Sequence, residues 1–160
     1  MSIEIRLART DDASAICGVL RRSIAELCEA DHGNDLAFLT AWLANKTPEN
    51  IAGWIVNPTN HFYVAVANGG IVGAACITSA GEINLNYVSP DARFKGVSSA
   101  LLATLERKAA ELGLPQCTLA STKTALQFYR SAGYRETTAT TQRGTPMVKD
   151  LAGPDAAIAR

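Results

Sequence analysis

The sequence predicts an α/β fold of the α+β type, in which helices flank one mixed and mostly antiparallel central sheet. Two observations lead to this prediction. Strand-like segments at 61–67, 71–79 and 82–89 follow one another too closely for crossover helices, so these strands must run antiparallel. Strand and helix patterns then alternate, which favours a parallel pair of the fourth strand (82–89) and the fifth strand (116–121). This order excludes a doubly wound nucleotide-binding fold.

Length and composition indicate one folded domain. Of the 160 residues, 48% are hydrophobic and 19% are charged, which is typical of a globular protein with a sizeable core. We expect the domain to span residues 1–151 and a flexible tail to occupy 152–160. Lys plus Arg and Asp plus Glu number 15 each, so the overall charge indicates neither nucleic acid nor a membrane surface as a partner. Any anion site must therefore be local, and no apolar run approaches the about 20 residues of a membrane helix.

The first third of the chain predicts one strand followed by helices. Residues 3–8 alternate in polarity as a half-buried strand does, and Thr10 or Asp11 can cap the helix that follows. A second helix is predicted over 35–46, and a short third helix follows the cap Thr47. The buried stripe of the first helix is expected to comprise Ala13, Ile16, Val19, Leu20, Ile24, Leu27 and Cys28.

The middle of the chain predicts a hairpin and an adjacent third strand. The turn residues Asn68, Gly69 and Gly70 tolerate positive φ angles and separate 61–67 from 71–79. Simple alternation along 82–89 gives the strand two faces: Ile83, Leu85 and Tyr87 on one, and Glu82, Asn84, Asn86 and Val88 on the other.

The last third of the chain predicts two helices and three strands. An amphipathic helix over 97–112 ends at Gly113, as helices commonly do. The remaining elements are a buried strand at 116–121, a helix at 123–133, and a closing antiparallel pair at 134–141 and 145–151.

Cysteine and histidine usage indicates a reducing compartment and no metal. Cys17, Cys28, Cys76 and Cys117 lack CxxC spacing and lie within apolar patterns, so we expect reduced core thiols in a cytoplasmic protein. His32 and His61 are far apart and have no paired ligands nearby, so no metal site is predicted.

One helix begins with an unusual group of residues. Arg93, Lys95, Gly96, Ser98 and Ser99 stand directly before or within the start of the predicted helix 97–112. Basic residues oppose the helix dipole there, whereas converging backbone N–H groups and a glycine suit a phosphate group. Ordinary capping serines and a solvated basic loop remain the alternative interpretation. Neither GxxxxGK[ST] nor GxGxxG after a strand occurs, so a phosphate site here must be of another kind.

The stretch "YVSPDARFKGVSSALLATLERKAAELG" resembles the acetyl-CoA-binding segment of the GNAT N-acetyltransferase superfamily. The family pattern is [Q/R]-x-x-G-x-[G/A] after a strand that ends in Val, and Arg93 and Gly96 match it. Ser98 stands where Gly or Ala is usual, and Phe94 stands where a small residue is common.

A second stretch, "TKTALQFYRSAGYRE", resembles the downstream family pattern A-x-x-F-Y-x-x-x-G-[F/Y]. Thr122 lies where many members carry an Asn that contacts the cofactor. The resemblance covers residues 3–150 and includes the order of elements. The matching positions of the second pattern are Ala125, Phe128, Tyr129, Gly133 and Tyr134.

The resemblance implies an N-acetyltransferase that uses acetyl-CoA as cosubstrate, without a metal, and transfers the acetyl group directly to a primary amine. It further implies that the fourth and fifth strands splay apart and that the pantetheine arm lies between them. The N–H of Val88 would then polarise the thioester carbonyl. The cofactor-binding residues it implies are Tyr87, Val88, Arg93, Phe94, Lys95, Gly96, Val97, Ser98, Ser99, Thr122, Ala125 and Phe128.

Two residues are the candidates for proton transfer. Tyr129 is the expected general acid, because a phenol with a pKa of about 10 can protonate a thiolate with a pKa of about 8.5. Glu82 is the expected general base, directly or through water, with Asn84 and Asn86 beside it on the predicted face. An ordinary solvated strand face is the alternative for Glu82.

The acceptor amine is not identified by the sequence. A charged segment with Glu29, Asp31, His32 and Asp35 suits a cationic amine, but it also suits a solvated loop between helices, and Tyr87 is an alternative pocket residue. Trp42 and Trp54 are expected in the core. Two alternative functions remain: a non-catalytic CoA-binding sensor or assembly domain, and a transferase for longer acyl groups. The sequence also leaves open whether the protein forms a homodimer.

Overall fold

A computed structural model describes residues 2–139 and 144–152. The helices are α1 (Ala13–Leu27), α2 (Glu29–His32), α3 (Leu36–Leu43), α4 (Pro48–Val56), α5 (Val97–Glu111) and α6 (Leu126–Ser131). The strands are β1 (Glu4–Leu7), β2 (Asn60–Ala67), β3 (Gly70–Thr78), β4 (Glu82–Val88), β5 (Gln116–Ser121), β6 (Arg135–Glu136) and β7 (Thr145–Asp150). Residues 153–160 of the predicted tail and 140–141 of the predicted closing pair lie outside the described residues.

In the described part of the chain, seven strands form one sheet in the order β1-β2-β3-β4-β5-β7-β6. Every neighbouring pair is antiparallel except β4 and β5, which run parallel and are joined by the crossover helix α5. The predicted fold class is therefore confirmed. The hairpin is confirmed as well, since Asn68 and Gly69 have φ angles of 52° and 78° between the paired residues Ala67 and Gly70.

The sheet separates two apolar clusters. The first cluster packs around α5 and includes Ala75, Ile77, Ile83, Val97 and Leu101. The second packs beneath α1 and α4 and includes Ile16, Leu20, Ile51, Val64 and Ala74. All four cysteines are buried and free, as the sequence predicts.

The predicted faces of β4 are wrong because the strand contains a β-bulge. Cys76 pairs with Leu85, but the next residue, Ile77, pairs with Ile83, which leaves Asn84 as the extra residue on β4. Ile83 therefore packs in the α5 cluster, whereas Leu85 and Tyr87 pack against the α1 and α4 cluster. Alternation read from the sequence assumes a regular register and cannot detect such an insertion.

The start of α1 also differs from the prediction. The stretch 10–12 forms a short 3₁₀ turn, and α1 begins at Ala13, so neither Thr10 nor Asp11 is its cap. The Asp12 carboxylate instead accepts the Arg9 N–H at 2.7 Å and pairs with Arg6 at 2.8 Å. This ion pair holds the pKa of Asp12 below its ordinary value.

The other helices agree with their predicted caps but are shorter. Asp35 accepts the Phe38 N–H at 3.1 Å at the start of α3, and Thr47 accepts the Asn50 N–H at 3.2 Å at the start of α4. The short helix α2 was not predicted. No helix within 2–139 or 144–152 has the length and apolar character needed to cross a membrane.

Candidate active site

The candidate site lies where β4 and β5 separate. In the described chain these strands pair only at Glu82 with Thr118 and at Ile83 with Leu119, although β4 continues to Val88. Beyond this point β4 has an unpaired edge. Ser89 donates its N–H to Val72 on β3 at 2.8 Å, so the N–H of Val88, one residue earlier, points into the gap.

A cavity of about 320 Å³ occupies this gap. Its walls come from β4, the turn before α5, the end of β5 and the start of α6, with one side closed by α1. The lining residues among the predicted site residues are Tyr87, Val88, Arg93, Phe94, Gly96, Val97, Ser98, Ser99, Thr122, Ala125, Phe128 and Tyr129. Lys95 and Glu82 do not line it. Lining residues outside the predicted cofactor and catalytic set include Ser23, Cys28, Asn84, Asn86 and Thr124.

The N-terminus of α5 opens onto this cavity. Gly96 precedes the helix with a φ of +83°, and the first helical hydrogen bond is the one that Ala100 donates to Gly96 at 3.0 Å. The first-turn N–H groups of Val97, Ser98 and Ser99 therefore lack helical acceptors. Among the described atoms, none lies within 4 Å of a Cβ built at Gly96. The turn thus presents N–H groups and open space to a ligand.

An exposed ion pair joins α1 to the turn. Arg22 contacts both carboxylate oxygens of Asp91, at 2.9 and 3.3 Å, and also contacts Glu26 at 2.9 Å. Arg22 thereby lowers the pKa of Asp91 and neutralises the acidic residue nearest to the turn. Arg93 and Lys95 carry two further positive charges beside this turn.

Asp31 binds the loop between β5 and α6. Its carboxylate accepts the N–H groups of Lys123 at 2.6 Å and Thr124 at 3.2 Å, and the Thr124 hydroxyl at 2.7 Å. In the same loop, Thr122 Oγ1 accepts the N–H of Ala125 at 3.1 Å. Asp31 therefore fixes the loop that carries two cavity-lining threonines. A contact across more than 90 positions of sequence leaves no local signal.

The charged segment 29–35 is ordered by contacts within itself and with neighbouring elements. Its acidic side chains have internal partners: Glu29 accepts from Asn34 at 2.9 Å, and Asp35 caps α3. His32 is buried, with Nε2 at 3.1 Å from the Ala25 carbonyl and Nδ1 accepting the Asn34 N–H. These contacts order the segment, while Glu29 and Asp35 stay exposed and keep their negative charges.

Tyr129 forms the buried end of the cavity. Its side chain is 6% exposed, and its ring packs edge-to-face on Phe128 and Tyr134 at centroid distances of 5.1 and 5.6 Å. Burial raises the pKa of Tyr129 to about 12, while the nearby Asn86 side chain opposes that rise. The phenol is therefore neutral at physiological pH and holds a proton that it can donate.

Asn86 has an unpaired acceptor in the same place. Among the described side chains, Asn86 Oδ1 is the only buried nitrogen or oxygen atom without a hydrogen-bond partner. Such an atom costs about 1–3 kcal/mol when it stays unpaired. A ligand N–H in the cavity is the natural partner. The sequence shows only a polar residue on a strand, and the unpaired oxygen can be recognised only in the folded structure.

The expected position of Glu82 as a base in the cleft is wrong. Glu82 is exposed and lies where β4 and β5 are still paired, and the bulge at Asn84 removes it from the face of Asn86. The described residues that line the cavity include no Asp, Glu, His or Lys. The proton of an amine therefore has no carboxylate or imidazole acceptor within the described cavity.

Cys28 and Tyr87 lie on the α1 side of the cavity. Burial raises the pKa of the Cys28 thiol to about 11, so it is protonated at neutral pH. Burial also raises the pKa of Tyr87, and the nearby Trp42 side chain opposes that rise. Trp54 packs against the α1 and α4 cluster as expected, whereas Trp42 contacts Phe38 edge-to-face at 6.1 Å. Within the described chain, no cluster of His, Cys, Asp or Glu could hold a metal ion.

Comparisons with known proteins agree with this arrangement. The model of the acetyltransferase (GNAT) domain matches residues 29–151. The PaiA N-acetyltransferase of Thermoplasma acidophilum, solved with coenzyme A, is 21% identical with a TM-score of 0.82, covering 94% of this chain and 100% of that one. A GCN5-related N-acetyltransferase from Rhodopseudomonas palustris is 23% identical with a TM-score of 0.84, covering 94% and 97%.

A third structure is more distant. The N-acetylglutamate synthase of Neisseria gonorrhoeae, solved with coenzyme A and N-acetyl-glutamate, is 18% identical with a TM-score of 0.71. The match covers 94% of this chain but 35% of that one. No curated protein matches the sequence.

The fold and the family model define the class of protein as an acyltransferase. The chain belongs to the GNAT acetyltransferase family.

Proposed function

We propose that this acyltransferase moves an acetyl group from acetyl-CoA to a primary amine by direct attack in a ternary complex. One observation carries the proposal: a single cavity connects the open N-terminus of α5, the unpaired edge of β4 and the buried hydroxyl of Tyr129. The coenzyme A in two of the related structures supports the choice of cosubstrate. When bound, acetyl-CoA supplies the acetyl group as an activated thioester.

The turn before α5 would hold the pyrophosphate. The N–H groups of Val97, Ser98 and Ser99 point towards the position of an anion, and the dipole of α5 favours negative charge there. Arg93 and Lys95 add two positive charges, and the absence of a side chain at Gly96 allows close approach. These features fit a diphosphate better than a neutral ligand.

The edge of β4 would hold the pantetheine arm and the reacting carbonyl. An extended chain with amide groups can pair with the gap-facing backbone of Asn86 and Val88 as an added strand does. Val88 then donates its N–H to the thioester oxygen, where negative charge develops during attack.

Tyr129 would act as the general acid. The neutral amine nitrogen bonds to the carbonyl carbon, the carbon–sulfur bond breaks, and the leaving sulfur takes the phenolic proton. The attacking nitrogen then loses its extra proton to water, and water returns a proton to the Tyr129 phenolate. Because burial keeps Tyr129 protonated, with a pKa of about 12, the acid is available throughout the physiological range. Asn86 holds the hydroxyl in place through its side-chain amide.

The proton of the amine would leave through water. No carboxylate or imidazole lines the described cavity, so the acceptor must lose its proton to solvent before or during attack. This route predicts that the rising limb of the pH–rate profile moves with the pKa of the acceptor amine. A rising limb at one pH for amines of different pKa would instead indicate a protein base.

A covalent acyl-enzyme is disfavoured by the same geometry. A nucleophilic serine or cysteine needs an adjacent base or a lowered pKa. Cys28, the cysteine among the described lining residues, has a pKa raised to about 11, and no histidine accompanies Ser23, Ser98 or Ser99 there.

The test is thiol release from acetyl-CoA across amines, polyamines, amino acids, aminoglycosides and peptides. Turnover with intersecting initial-rate lines supports direct transfer in a ternary complex. Parallel lines would contradict it and indicate an acyl-enzyme. CoA binding without turnover of any amine would favour a non-catalytic CoA-binding domain. Faster turnover of a longer acyl-CoA would show that acetyl-CoA is not the preferred donor.

A further inference from the structure

Phe94 combines two features that are unusual for an aromatic residue. Its side chain is 90% exposed, so its ring contributes almost nothing to the core. Its backbone has a φ of +64°, a left-handed conformation that bulky residues rarely adopt. A glycine or asparagine would occupy this position without that strain. The fold therefore gains nothing from the ring, and the explanation must lie in what the ring contacts.

The ring already has a partner on one face. The guanidinium of Arg93 lies 4.5 Å from the centroid of the Phe94 ring, a distance typical of cation–π stacking. With the side chain exposed, the opposite face is open to solvent beside the cavity mouth that Phe94 helps to line. An open aromatic face backed by a cation favours a flat, electron-rich ring as its ligand.

The position of the ring specifies which part of a ligand it can meet. If the first turn of α5 binds the pyrophosphate and the gap between β4 and β5 takes the pantetheine arm, the arm extends inward towards Tyr129. The adenosine at the other end of the pyrophosphate must then extend outward past the turn that carries Phe94.

We propose that Phe94 is the stacking residue for the adenine of the cosubstrate, with Arg93 as the opposite layer. The inference rests on the proposed function, because it needs coenzyme A at the turn. On this proposal, the aromatic residue Phe94, at a position where a small residue is usual, serves to recognise the nucleotide.

The experiment measures, by calorimetry, the affinities of coenzyme A and of 4′-phosphopantetheine, which lacks the adenosine and the two phosphates attached to it. The variants are Phe94→Gly, Phe94→Ala and Phe94→Trp, and Phe38→Ala serves as a matched control because it removes another ring that is 53% exposed. We expect Phe94→Gly and Phe94→Ala to weaken coenzyme A binding about 5- to 150-fold, as loss of one base-stacking contact does. We expect Phe94→Trp, which keeps an aromatic ring, to bind coenzyme A as tightly as the wild-type protein or more tightly.

Two further readouts separate stacking from a structural role. Binding of 4′-phosphopantetheine should change less than about twofold, since Phe94 contacts only the adenine. The unfolding temperature of ligand-free Phe94→Gly should stay equal or rise, because glycine relieves the strain at φ +64°.

Equal losses for both ligands would overturn the inference and place the ring against the pantetheine arm or the turn itself. Unchanged coenzyme A affinity in Phe94→Gly would also overturn it. If wild-type protein bound neither ligand, the proposed function would be wrong, and this inference would fall with it. If the wild-type protein binds coenzyme A and removal of the Phe94 ring does not change the affinity, this inference is wrong but the proposed function stands.

Discussion

Replacing Tyr129 with Phe removes one oxygen atom from the buried end of the cavity. The ring keeps its edge-to-face contacts with Phe128 and Tyr134, so the packing of the α5 cluster is retained. The hydroxyl lies near the Asn86 side chain, and the loss of one neutral hydrogen-bonding group costs about 1 kcal/mol of folding free energy. The fold should therefore survive the substitution.

The expected effect on catalysis is much larger. General acids contribute a factor of about 10² to 10⁴ to the rate, so the Tyr129→Phe substitution should lower kcat by a factor in that range. Because the phenolic proton is needed only when the carbon–sulfur bond breaks, the dissociation constant of coenzyme A should change little. The assay combines thiol release at saturating amine with coenzyme A binding by calorimetry.

Tyr134→Phe is the matched control. Tyr134 is also buried, and its hydroxyl donates to Glu106 at 2.9 Å, but it does not line the cavity. A hydrogen bond to a charged group is worth about 1.5–3 kcal/mol, so this variant should lose more stability and keep its kcat. Tyr129→Phe with unchanged kcat, or Tyr134→Phe with the larger loss of kcat, would refute the assignment of the acid.

Gly96→Asp should weaken coenzyme A binding about 10²- to 10³-fold by placing a carboxylate near the pyrophosphate. Gly113→Asp introduces the same charge after the other end of α5, at a similar φ of +73° and with no atom of the described chain near its Cβ, and should bind normally; equal losses would argue against the phosphate turn. Asn86→Leu should lower kcat/KM about tenfold, because it removes the unpaired Oδ1 and the amide beside Tyr129; unaltered kcat/KM would remove Asn86 from the site. Glu82→Gln should change kcat less than about twofold, and a large loss in steady-state assays would restore it as the base. Asp31→Ala should lower the free energy of unfolding by about 1–3 kcal/mol in denaturant titrations and raise the dissociation constant of coenzyme A; wild-type values for both would show that the loop needs no clamp.

Much of the architecture follows from local sequence signals. The hairpin at Asn68 and Gly69 depends on residues that accept positive φ, and the apolar stripe of α1 depends on a helical period, so both are encoded within short segments. The pairing of β4 with β5 follows from the handed connection through α5. These features need no knowledge of distant contacts.

The candidate site was only partly predictable, because only some of its parts leave a local pattern in the sequence. The turn around Gly96 and the position of Tyr129 carry recognisable sequence patterns, and the structure places both at one cavity. The position of Glu82 was wrong because one extra residue, Asn84, reverses the faces of the strand before Leu85. Periodicity reports the average register of a strand and not an insertion within it.

The sequence by itself determined the order of the strands and of the longer helices, together with the hairpin, because each depends on side chains that are neighbours along the chain. The tertiary structure alone decided where the strands separate, that Asp31 binds the loop at Thr124, and that Asn86 Oδ1 is left without a partner. These properties depend on burial and on contacts between residues far apart in sequence. Desolvation and long-range hydrogen bonds arise only once the chain has folded.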